Sequence, residues 1–165
     1  MPLRPLAESD LMRMLAWRND PAVRGGMYNA REIGEDEHRV WFARMKDDPT
    51  ACWFMHENAD SIPDGVVYFT QYVPGRSAFW GFYLDSAAPR GSGRLLGTEG
   101  LQLAFGALAL HKLNAEVLAS NERSLRFHEQ MGFRREGLFV EHHFDGSAYM
   151  DVVRFGLLAA EWSHV

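Results

Sequence analysis

Apolar positions along this chain fall into short runs whose spacing switches between the period of a strand and that of a helix, and turn formers punctuate each switch. Pro2 to Ala7 reads as a short first strand. Behind Ser9 or Asp10, either of which suits an N-cap, Leu11, Met14, Leu15 and Trp17 predict a helix that Asn19-Asp20-Pro21 stops. Val23 to Ile33 is broken by glycines and predicts irregular chain. Glu35 to Asp47 predicts a second helix, with Val40, Trp41, Ala43 and Met45 partly buried. Cys52 to Glu57 and Val66 to Val73 read as strands around a turn at Asp60 to Gly65, and Pro74-Gly75 leads to a fourth, aromatic strand at Ala78 to Leu84.

After that strand comes Asp85-Ser-Ala-Ala-Pro-Arg-Gly-Ser-Gly-Arg-Leu-Leu-Gly97, and apolar residues then recur at helical spacing from Leu95 to Leu110. The unit is strand, glycine-rich turn, helix. Arg90, Gly91, Ser92 and Gly93 put small residues and a cation where free backbone amides and the helix dipole can hold an anion. The Gly-Lys-Ser/Thr of a phosphate-binding loop and the spacing of a dinucleotide fold are both absent. Next come a strand from His111, an Asn121-x-x-Ser124 helix start, and a helix closed by Met131-Gly132-Phe133. Arg134 to Phe144 and Tyr149 to Leu158 read as two strands joined by the hairpin signal Asp145-Gly146-Ser147. Without repeats, low-complexity tracts or a linker, residues 1–165 are expected to form one domain.

Composition narrows the classes. A hydrophobic fraction of 47% and a charged fraction of 24% are ordinary for a globular chain, and 165 residues bury a real core. The net charge of -5 gives no support to a nucleic-acid surface or a polybasic membrane anchor. No apolar run reaches membrane-spanning length and the start has no signal-peptide core, so a cytoplasmic location is expected. The lone cysteine, Cys52, sits in an apolar strand and is expected to be inert. The histidines lack the spacing of a zinc site, so no metal is expected.

The glycine turn and the Asn121 to Phe133 segment, in this order and spacing, resemble the acetyl-CoA site of the GNAT N-acetyltransferases. The resemblance implies an α/β (α+β) fold: a mixed, mostly antiparallel sheet of about seven strands with a splayed parallel pair, flanked by about four helices. A parallel crossover over residues 79–118 fits that order. It also implies acetyl-CoA as cosubstrate, with Phe82, Tyr83 and Leu84 offering backbone donors to the pantetheine arm. Arg90, Gly91, Ser92, Gly93 and Arg94 would lie at the pyrophosphate, and Asn121, Ser124 and Phe127 beside the cofactor. Arg123 and Arg126 are further cations near it, and equally read as solvated helix arginines. Two positions depart from the family pattern: Leu95 stands where a small residue is usual, and His128 where the family often has a tyrosine that protonates the CoA sulfur.

Acetyl transfer needs a neutral amine, a stabilised carbonyl oxygen and a proton for the thiolate. Strand alternation puts Leu113, Ala115 and Val117 on one face and Asn114, Glu116 and Leu118 on the other, so Glu116 is the candidate base, or else a plain solvent-facing glutamate. His128 shares a helix face with Asn121 and Ser124 and is the candidate acid, or a bystander that only hydrogen-bonds. No cysteine is placed for an acyl-enzyme, so direct transfer in a ternary complex is expected.

Trp17-Arg-Asn-Asp-Pro-Ala-Val-Arg24, Met27-Tyr28, Glu37-His-Arg-Val-Trp41 and Trp80-Gly-Phe-Tyr-Leu-Asp85 are similar to the branch of the family that acetylates the 4-amino group of UDP-linked 4-amino-4,6-dideoxy sugars, in pseudaminic acid biosynthesis for flagellin glycosylation. In that reading Arg18 meets a diphosphate, while Met27, Tyr28, His38, Trp41 and Trp80 form an aromatic slot. Singly, each tryptophan reads as core and Arg18 as a surface ion pair. The alternatives are an N-terminal protein acetyltransferase of the ribosomal-protein type, a polyamine acetyltransferase, and a silent acyl-CoA-binding module. The partner is expected to be a small nucleotide sugar rather than nucleic acid or membrane, and the chain a monomer or homodimer.

Overall fold

The computed structural model describes residues 2–162. Strands β1 (Leu3–Pro5), β2 (Cys52–Glu57), β3 (Pro63–Val73), β4 (Ser77–Leu84), β5 (Lys112–Leu118), β6 (Arg134–Phe144) and β7 (Tyr149–Leu158) form one sheet in the order β1-β2-β3-β4-β5-β7-β6. Neighbours are antiparallel except β4 and β5, which run parallel. Helices α1 (Leu11–Asn19), α2 (Pro21–Arg24), α3 (Glu35–Met45), α4 (Ser92–Phe105) and α5 (Glu122–Gln130) cover the sheet. The expected mixed sheet with a parallel pair is present.

Alternation along the strands builds two cores. Val67 and Phe69 of β3 and Ala78 and Trp80 of β4 pack with Leu96, Leu101 and Ala104 of α4 and with Leu113, Ala115, Phe155 and Leu157. The opposite residues, Val66 of β3 and Tyr83 of β4, join Met55 and meet Met14 and Trp17 of α1, with Tyr68, Trp53 and Trp41 packed around them. Each fully buried large apolar side chain contributes about 1.5–3 kcal/mol, so the two layers together fix the sheet between its helices.

The five helices exceed the expected four because Pro21 begins a helix where the sequence suggested only a stop. Asp20 caps it, accepting from the Ala22 amide at 2.9 Å, and proline at the first helical position lacks only an amide that has no helical partner anyway. Helix α3 is also rotated from expectation. Val40 is 57% exposed and Ala43 is exposed too, while His38 is the buried member and Trp41, Phe42 and Met45 flank it. At the end of α5 the expected Met131-Gly132-Phe133 closure forms. Gly132 has φ +95°, the Gly132 amide donates to Glu129 O at 3.1 Å, and the Phe133 amide donates to His128 O at 3.0 Å.

Candidate active site

Strands β4 and β5 pair over only three positions, Ser77 with Lys112, Ala78 with Leu113 and Phe79 with Asn114, and then part. Beyond Phe79 the β4 edge from Trp80 to Leu84 faces the outer part of β5 across a cleft of about 810 Å³. Gly81 is required there: a Cβ on it would lie 2.2 Å from the Tyr68 ring, which is stacked on Trp53. Tyr83 turns its side chain into the α1 core, so only its backbone fronts the opening.

At one end the cleft is bounded by Leu84, Asp85, Pro89, Arg90, Gly91 and Gly93, and by Arg123, Ser124, Arg126 and Phe127 of α5. Gly91 caps α4 with φ +97°, a conformation that side-chained residues rarely adopt. Among the described residues the amides of Arg90, Gly91 and Gly93 have no hydrogen-bond partner, which suits a phosphate-bearing ligand. Ser92 does not share this role as expected, because its amide already donates to the Pro89 carbonyl at 3.1 Å and the residue is buried. Arg94 also departs from expectation: it lies with Leu95, Thr98, Glu99 and Gln102 around a separate depression. Leu95 is thereby turned out of the cleft, so its bulk does not obstruct it.

Helix α4 is tied to the sheet by a trio the sequence did not suggest, in which His56 and Asp64 are buried and Glu99 is half-buried. His56 of β2 lies 2.5 Å from Asp64 Oδ1 through Nδ1 and 3.3 Å from Glu99 Oε2 through Nε2. Burial pushes the Glu99 carboxyl above the usual range.

His128 is placed for structure rather than acid catalysis, a correction to the expectation. Its Nε2 lies 3.1 Å from Trp80 Nε1, a donor only, and its Nδ1 lies 2.8 Å from the Ser124 carbonyl, an acceptor only. Those partners fix the neutral tautomer protonated at Nδ1. The ring stacks on Phe155 at 5.2 Å, and burial pushes its pKa down to about 4. No proton is free to leave toward a sulfur. Trp80 is likewise core: its ring stacks on Phe133 at 5.3 Å. Asn121 caps α5, its Oδ1 accepting from the Ser124 amide at 3.2 Å, and still fronts the cleft.

At the other end, Glu116 faces the cleft as alternation predicted. Tyr28 donates from its hydroxyl to Glu116 Oε2 at 2.7 Å, and Arg154 Nη1 of β7 lies 3.3 Å from Oε1. The Arg154 guanidinium covers the Phe79 ring at 4.4 Å. Met27, Tyr68, Thr70, Gln71 and Phe79 complete this wall. Arg154, Tyr68 and Phe79 were not singled out in the sequence. Arg154 was accessible only through the β5–β7 register, in which it opposes Glu116.

The remaining residues of the expected slot lie elsewhere. Arg18 is half-buried, donates through Nη2 to the Asn29 carbonyl at 2.5 Å, and braces the Tyr28 loop from behind instead of lining the cleft. His38 Nε2 lies 3.0 Å from the Leu11 carbonyl, and its ring stacks on Trp41 at 5.3 Å. Trp41 in turn meets Trp53 edge-on, so this pair packs α3 onto the sheet. Cys52 is half-buried, with its thiol pushed up to about 11 by burial, so little thiolate exists near neutral pH.

A family model described as an acetyltransferase (GNAT) domain matches residues 1–134. Spermidine N(1)-acetyltransferase of Vibrio cholerae is 25% identical over 162 residues, covering 97% of this chain and 94% of that protein. Acetyltransferase PseH of Campylobacter jejuni is 26% identical over 128 residues, covering 78% of this chain and 79% of that protein. Among solved structures, the Vibrio cholerae spermidine N-acetyltransferase in complex with CoA and spermine superposes with a TM-score of 0.89 at 25% identity, over 97% of this chain and 96% of that one.

Proposed function

We propose that this chain, which belongs to the GNAT acetyltransferase family and transfers an acetyl group from acetyl-CoA to an amine, takes as acceptor a small molecule that carries a single primary amine. The most specific form of this reading is the 4-amino group of a UDP-linked 4-amino-4,6-dideoxy sugar. The observation that carries it is the make-up of the acceptor wall. Met27, Tyr28, Tyr68 and Phe79 give it apolar and aromatic faces, and Glu116, already tied to Arg154, is its lone carboxylate among the described residues. One amine beside one carboxylate, on a body that packs against rings, suits an amino sugar. A polyamine carries several ammonium groups, and each taken from water needs an anionic partner.

A polyamine acceptor is the second reading, favoured because a relative and a solved structure that align over nearly the whole chain are spermidine acetyltransferases. Acidic residues do occur at the start of α3, but they lie outside the cleft, where Arg31 meets Glu37 and Arg39 meets Glu35.

In the proposed complex the amides of Arg90, Gly91 and Gly93 hold the pyrophosphate, with Arg123 and Arg126 adding charge. The β4 edge from Phe82 to Leu84 receives the pantetheine arm, Asn121, Ser124 and Phe127 flank it, and Glu116 takes the ammonium proton. The test is thiol release from acetyl-CoA with a UDP-4-amino-4,6-dideoxy sugar, spermidine and short peptides with free N-termini. Turnover concentrated on the sugar is expected. Spermidine turnover at an equal or higher kcat/KM would replace this reading with the second.

A further inference from the structure

We infer that Tyr28 is a catalytic residue: its phenol oxygen receives the acceptor ammonium and relays the proton to Glu116. This rests on acetyl transfer to an amine at this cleft, and not on which amine it is.

The groups facing the cleft leave few routes for a proton. His128 has both ring nitrogens engaged. The Tyr83 hydroxyl is buried in the α1 core, and Asp85 sits at the phosphate-binding end, where its Oδ1 accepts from the Ala87 amide at 2.9 Å. The Tyr68 phenol is held protonated by burial, its ring stacked on Trp53 and its hydroxyl against Gly81 of β4. Glu116 and Tyr28 remain, already joined at 2.7 Å. Tyr28 is 44% exposed, whereas the Glu116 side chain is 22% exposed and flanked by Arg154. An amine entering from the acceptor end therefore reaches the phenol first.

The polarity of the hydrogen bond gives the relay its direction. A phenol has one proton and two lone pairs, and an ionised carboxylate only accepts. The Tyr28 proton lies toward Glu116, which leaves its lone pairs open to an incoming N–H. As the ammonium passes a proton to the phenol oxygen, the phenol passes its own to Glu116 Oε2, so no free tyrosinate forms. Burial and Glu116 both hold the Tyr28 phenol protonated, in keeping with a concerted transfer.

The hydroxyl is held in place from several sides. Arg18 ties down the neighbouring Asn29 carbonyl. Gly26 lies so close to Asn121 that a Cβ would sit 2.7 Å from its Nδ2. The His143 ring of β6 packs on the Tyr28 ring at 4.8 Å. The charged and titratable groups facing the relay are thus Glu116 from β5, Arg154 from β7 and His143 from β6.

Over the full reaction the C–N bond forms and the C–S bond breaks. The ammonium loses two protons. One leaves through Tyr28 to Glu116 and then to solvent, and the other ends on the departing sulfur.

The experiment compares pH–rate profiles of wild type, Tyr28→Phe, Glu116→Gln, the double variant and His143→Gln. Each is given the best of the three acceptors named above, with acetyl-CoA and the acceptor varied in turn at a saturating level of the other. Tyr28→Phe is expected to lower kcat about a hundredfold, with KM for acetyl-CoA within about twofold. The double variant should be no slower than Glu116→Gln alone, and His143→Gln should keep the acid limb of the profile. A Tyr28→Phe enzyme within threefold of wild-type kcat would overturn the relay. So would independent, multiplicative losses in the double variant, or a change confined to acceptor KM. A switch of preferred acceptor would revise the sugar reading and leave the relay test intact.

Discussion

The two walls of the cleft are made of different materials. The cofactor wall is backbone: three unpartnered amides at the start of α4, a left-handed Gly91 and the unpaired edge of β4. The acceptor wall is side chains brought together from distant parts of the chain, with Tyr28 reaching Glu116 across 88 positions and Arg154 arriving from the last strand. Backbone geometry tolerates sequence change as long as the fold persists, whereas a wall of side chains changes with each substitution. A relative 25% identical accordingly superposes over nearly the whole chain, because the backbone is kept while side chains change.

The largest expected effect tests whether His128 belongs to structure. The folded ring resists protonation down to about pH 4, while in the unfolded chain it titrates near its usual 6.5. Its contribution to stability is fully present above pH 6.5 and is lost as pH falls from there to 4, on the order of 3 kcal/mol. His128→Gln keeps an acceptor for Trp80 without a titrating group. Denaturant melts from pH 7 to 4 should show a smaller loss for the variant, with neutral-pH turnover within a few-fold of wild type. A hundredfold fall in turnover would mean that the cofactor wall depends on this side chain after all.

Next comes Gly81→Ala. Its Cβ would press on the half-buried Tyr68 ring, costing about 1–3 kcal/mol in thermal or denaturant unfolding. Tyr68→Leu in the same chain should recover part of that cost. Gly91→Val follows: forcing a branched residue into φ +97° should raise KM for acetyl-CoA about tenfold, with kcat nearly unchanged. Smallest of all, Glu35→Gln with Glu37→Gln should leave acceptor KM within twofold, since both residues are exposed and outside the cleft. A large rise in spermidine KM would extend the acceptor wall to α3.

Legibility in the sequence follows the same division. The turn at Arg90 to Gly93, the Asn121 cap and the Gly132 closure are local motifs, and each formed where its residues indicated. The alternation that turned Glu116 toward the cleft is also local. What escaped depends on registers and helix phase. His38 and Trp41, three positions apart, share one face of α3, but spacing alone does not say that this face meets Leu11 and Trp53. Nothing near Glu116 in sequence announces Arg154, because the β5–β7 register brings them together. His128 misled because an imidazole's chemistry is set by its neighbours, and Trp80 lies 48 residues away.

The three-rung junction between β4 and β5 has a mechanical meaning as well. It is a seam: β1 to β4 form one panel and β5, β7 and β6 another, and little ladder bonding stitches them. On the reading above, the pantetheine arm lies along that seam and hydrogen-bonds to the free β4 edge, so the cosubstrate also acts as a temporary eighth strand. Loading the enzyme would then stiffen it, slowing amide exchange along Trp80 to Leu84 and raising resistance to unfolding by about 2.7 kcal/mol at a hundredfold excess over Kd.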